Sequence, residues 1–68
     1  MTEAFREIAV YQLPYMRKAE LRECTFDSGM KMLRLVLREG KRITQVDLDA
    51  ETAVAMAAAM QDWAGAQR

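Results

Sequence analysis

Two periodicities divide the chain. From Lys31 to Arg38, Leu33, Leu35 and Leu37 alternate with Arg34, Val36 and Arg38. Successive side chains of an extended backbone point to opposite faces, so this alternation predicts a strand with a leucine face and an arginine face over 31–38. Glu39-Gly40 follows, and the β-rich segment 41–48 places Thr44, Val46 and Leu48 in the same alternation. A Gly-containing connection between two such runs predicts a hairpin. A two-residue loop at Glu39-Gly40 sets Arg38 opposite Lys41, Leu35 opposite Thr44 and Leu33 opposite Val46. From Ala50 the period changes: Ala53, Met56, Met60 and Trp63 recur at helical spacing in an alanine-rich run. Asp49 suits the N-cap, Glu51 suits the first turn, and Gly65 suits the end, which predicts a helix over 50–64.

Upstream, residues 18–26 read as a strand and Asp27-Ser28-Gly29 as a three-residue loop, with Gly29 supplying the positive φ. That loop places Leu21 opposite Leu35. It also turns Glu23 toward the leucine face, a conflict that a bulge near Glu23 relieves. Residues 7–13 are ambiguous: with the preceding Phe5, Ile8 and Ala9 fit a short helix, whereas Ile8, Val10 and Tyr11 favour a strand. Pro14 excludes a central position, so 7–13 is expected to be an edge strand. The predicted fold is one α+β domain over 1–68: an antiparallel four-stranded meander followed by one C-terminal helix, in the order ββββα.

Composition narrows the chemistry. The chain has 68 residues, 51% of them apolar, with one cysteine and no histidine. Those counts rule out an internal disulfide and histidine-based acid–base catalysis, and no zinc-ligand pattern is present. Asp47 and Asp49 are spaced as D-x-D without further oxygen ligands nearby. Ser28 and Cys24 lack a base to activate them. The chain is therefore expected not to be an enzyme, and to hold no cofactor, metal or small-molecule substrate. The apolar run 53–60 is too short for a membrane span, the first residues lack the marks of a signal peptide, and a lone cysteine suits a reducing compartment. These features predict a cytoplasmic protein without a membrane partner. A core this small barely offsets the ~1.5 kcal/mol per residue of conformational entropy lost on folding. One helix also cannot cover two sheet faces. A homodimer is expected, with Met56, Met60 and Trp63 serving helix packing or the dimer contact.

Charge is segregated although it sums to zero. Residues 17–42 carry eight basic and four acidic side chains, and residues 43–68 carry one basic and four acidic. The predicted registers gather Arg22, Phe26, Arg34, Arg38 and Lys41 on one sheet face. A cationic track with flat stacking groups is how single-stranded nucleic acid is held, so this face is a candidate nucleic-acid surface. A solvated face crossed by ion pairs, such as Arg34 with Asp47 or Arg22 with Glu20, explains the same residues and is favoured. Zero net charge and few exposed aromatics point the same way.

The order of four strands and a helix resembles the repeat of the Pur-alpha and Whirly families and the positive-cofactor-four type coactivators. The resemblance runs from the basic hairpin Gly29-Met30-Lys31-Met32-Leu33-Arg34-Leu35 through Lys41-Arg42-Ile43-Thr44 into the helix 50–63. It covers roughly residues 8–64, and it implies paired ββββα units that bind single-stranded nucleic acid on a curved sheet. The hairpin L-R-L-x-L-R-E-G-K-R followed by D-L-D-A-E-T-A also looks like small bacterial proteins of unknown function, which implies no activity.

Overall fold

A computed structural model describes residues 4–67. Strands β1 (Ala4–Leu13), β2 (Arg17–Thr25), β3 (Lys31–Glu39) and β4 (Arg42–Leu48) form one antiparallel sheet in sequential order. Helix α1 (Ala50–Ala66) follows β4 directly. The α+β meander expected from the alternation is the observed architecture, and its first segment is the edge strand rather than a helix.

Register follows from turn chemistry. Leu21 faces Leu35 and Cys24 faces Met32 across β2 and β3. The intervening loop closes through the Phe26 amide donating to the Met30 carbonyl at 2.9 Å, with Gly29 at φ 89°. A Cβ added at Gly29 meets nothing within 4 Å, so only the backbone conformation resists substitution there. Gly29→Ala is expected to cost about 1–2 kcal/mol, the left-handed penalty of a residue bearing a Cβ. Urea denaturation at equilibrium measures it.

The β3–β4 pairing departs from expectation by two residues. Glu39 faces Arg42, Leu35 faces Val46 and Leu33 faces Leu48. The turn is therefore Gly40-Lys41, with Gly40 at φ 61°. A two-residue shift keeps every side chain on its face, so the hydrophobic pattern does not distinguish the two registers. Charge does: the expected register sets Arg38 against Lys41, whereas the observed one sets Glu39 against Arg42.

The bulge expected near Glu23 is absent from the continuous β2–β3 register, and the irregularity lies in β1 instead. Its register shifts between Glu7 and Ala9, which leaves Ile8 as the extra residue. Glu23 stays on the leucine face, where Arg6 of β1 donates to it at 3.3 Å. The charge conflict is thus met by an ion pair instead of a bulge in β2.

Between β1 and β2 the chain turns through Pro14–Met16. Tyr15 and Met16 both lie in the left-handed region, at φ 65° and 62°. Glycine and asparagine adopt that conformation readily, and other residues pay about 1–2 kcal/mol each. The helix also differs from expectation at its end. Gly65 lies inside it, and the last turn closes through the Gln67 amide donating to the Ala64 carbonyl.

Burial is inverted relative to the leucine pattern. Among the described residues, Val36 and Cys24 on the arginine face have no exposed surface, and Ala19 is the buried residue of the leucine face. The leucines opposite are only half-buried, and no residue of α1 is buried. The helix touches the sheet chiefly at β3. The chain's radius of gyration is 13.8 Å, against roughly 11 Å for a compact domain of this length.

Candidate functional site

The arginine face is a lattice of cross-strand ion pairs. Strand alternation and register bring Arg22, Arg34 and Arg38 together with Glu20 and Val36. Glu20 is only 5% exposed and takes a hydrogen bond from Arg38 Nε at 2.6 Å and another from Arg22 at 2.5 Å. Arg22 also reaches Glu7 of β1 at 3.5 Å. Arg34 donates to both Asp47 oxygens, at 2.8 and 3.0 Å, and lies 5.5 Å above the Phe5 ring. The pairs Arg34–Asp47 and Arg22–Glu20 expected of a solvated face both form.

These contacts have electrostatic consequences. Hydrogen bonds from Arg38, and then from Arg22, hold the Glu20 carboxyl below its ordinary value of 4.5 against an opposing push from desolvation. The Arg34 fork does the same for Asp47. Long arginine stems lying along the sheet account for the full burial of Val36, since such side chains cover apolar surface while their heads stay wet.

Two of the expected face residues lie outside the strands. Lys41 sits in the exposed Gly40-Lys41 turn, because the two-residue register shift removes it from the strand. Phe26 lies just beyond β2 in the closing pair of the β2–β3 loop and is half-buried. The aromatic that joins the arginines is instead Phe5, from a part of β1 that lies before the expected strand start. Among the described residues, no cluster of three or more His, Cys, Asp or Glu side chains is arranged to hold a metal ion.

The opposite face is apolar and open. An elongated cavity of about 320 Å³ lies between sheet and helix, with Tyr11, Leu13, Leu21 and Leu35 on one wall and Met56 and Met60 on the other. Met56 is half-buried, whereas Met60 is 62% and Trp63 68% exposed. Of the residues expected to serve helix packing or the dimer contact, Met56 and Met60 line the cavity and Trp63 does not. At the same end of the sheet the Pro14–Met16 turn projects Tyr15, 85% exposed, and Met16, 97% exposed.

A family model matches residues 2–66, nearly the whole chain. The chain belongs to DUF6967. This is a family of unknown function, so membership extends to the fold unit as a whole and assigns no reaction to it. No curated protein and no solved structure matches the chain. What a DUF6967 domain of this geometry offers chemically is two unlike surfaces: a face of saturated ion pairs, and an apolar face that its own helix roofs incompletely. No helix among the described residues is long and apolar enough to cross a membrane.

Proposed function

We propose that the chain is a cytoplasmic, non-catalytic interaction module that works as a homodimer, with the leucine face and α1 forming the interface. The observation that carries this reading is excess surface. The chain exposes 5592 Å². Folded monomers of its mass expose about 4400 Å². The difference, about 1200 Å², exceeds the ~800 Å² that one partner covers in a standard interface. The leucine face is only half-buried and α1 leaves Met60 and Trp63 exposed, and a second copy supplies an apolar face of matching character.

Sedimentation equilibrium at low micromolar concentration tests the reading. The expected mass is twice the 7.8 kDa of the chain. A cooperatively folded monomer at every concentration would refute it.

A second reading is single-stranded nucleic-acid binding on the arginine face, as the likeness to Pur-alpha and Whirly repeats implies. It draws on the Arg34–Phe5 stack, a cation and a ring on one face. The carboxylates of Glu20 and Asp47 already occupy Arg22, Arg34 and Arg38, so each phosphate contact must displace an internal ion pair. Titration with a fluorescent oligonucleotide decides it: a Kd weaker than about 100 μM, the weak end of ordinary non-specific binding, removes this reading.

A further inference from the structure

We infer that the β1–β2 turn of a second copy fills the cavity beneath α1, with Tyr15 and Met16 as its anchors. The inference rests on the homodimer reading and names the element that completes it. The cavity has room for roughly ten water molecules. Its walls are leucine, alanine and methionine with the Tyr11 ring, and they offer such water few partners. An apolar side chain fills it better than solvent does.

The chain's own turn does not enter the cavity, because Tyr15 and Met16 are the most exposed large apolar side chains of the described residues. Yet the turn begins one residue after Leu13, which lines the cavity mouth. Projection and recess therefore adjoin at one end of the sheet. A two-fold axis beside them places each turn in the other copy's cavity, the reciprocal arrangement that a closed dimer requires. Sequence economy supports the assignment. Two consecutive left-handed residues are ordinarily Asn-Gly, and this chain places Tyr and Met there at a conformational cost. Strained residues with large exposed side chains are accounted for when those side chains make a contact outside their own chain.

The test replaces the anchors with the residues the turn prefers. Tyr15→Asn with Met16→Gly relieves the backbone and removes both side chains, so loss of folding does not confound the result. Wild type and variant are compared by sedimentation across a hundredfold range of concentration, with far-UV circular dichroism and thermal unfolding alongside. The expected result is a dimer Kd raised at least tenfold in the variant, with an unchanged spectrum and no loss of stability in the monomeric range. A wild-type dimer matched by an equally tight variant dimer overturns this inference and leaves the homodimer reading intact. A wild-type chain that is monomeric throughout overturns the homodimer reading, and this inference falls with it.

Discussion

Leu35→Asp is expected to leave the chain unfolded at every concentration. Leu35 sits mid-strand in β3, opposite Leu21 of β2 and Val46 of β4, and it forms part of the cavity wall. A carboxylate placed there must either lose water without a partner or take up a proton. Either course costs several kcal/mol, since burying an ionised group unpaired is among the most expensive changes available. At ~0.05–0.15 kcal/mol per residue, a domain of this size has only about 3–10 kcal/mol in total. Lys41→Asp in the exposed Gly40-Lys41 turn, away from the leucine face, is a control, and that change is expected to cost no more than about 0.5 kcal/mol. Far-UV circular dichroism with urea denaturation measures both variants. A cooperatively folded Leu35→Asp chain would mean that the leucine face meets water in the assembled protein, against both the fold energetics and the proposed interface.

The parts of this fold legible in the sequence are those fixed by local alternation and turn residues. Leu33, Leu35 and Leu37 alternate without a break, and Gly29 marks a three-residue loop, so the Leu21–Leu35 pairing follows from counting. The β3–β4 register was legible only to within two residues, because both alternatives bury the same side chains. Cross-strand charge, Glu39 against Arg42, separates them.

Burial was less legible. Val36 reads as a residue of the polar face, and it is fully covered because Arg34 and Arg38 flank it while Glu20 binds Arg22 and Arg38 beside it. Covering of that kind depends on where long side chains lie, which a two-state hydrophobic pattern does not encode. The Tyr15–Met16 turn carried no glycine or asparagine signal, although left-handed backbone is what those residues ordinarily mark. Its one cue was Pro14, which marked a break without indicating its conformation. Phe5 joined the arginine face through the bulge at Ile8, and bulges shift register without leaving a compositional trace.

Acid is expected to destabilise the protein through Glu20. The folded state holds this carboxyl below its ordinary 4.5, chiefly through the Arg38 hydrogen bond and then through Arg22. A group whose pKa falls on folding stabilises the native state wherever the unfolded chain's carboxyl is ionised, and ceases to do so once both states are protonated. The contribution is therefore complete above the ordinary value and is lost as pH falls below it toward the lowered one. Asp47, held down by Arg34 from 3.8, adds to the loss further into acid. Urea midpoints of the wild type are expected to stay level from about pH 6 to 8 and to fall steeply below about pH 4.5, with the slope set by the protons taken up. Glu20→Gln keeps the shape and removes the charge. It is expected to lower the midpoint at pH 7, because Arg22 and Arg38 then both lose the carboxylate that neutralises them. It is also expected to flatten the acid limb, leaving the contributions of Asp47 and Asp49, whose carboxyls are also held below their ordinary value. If wild type and Glu20→Gln instead lose stability in parallel between pH 5 and 3, the acid sensitivity arises elsewhere and the Glu20 lattice is not what holds the arginine face together.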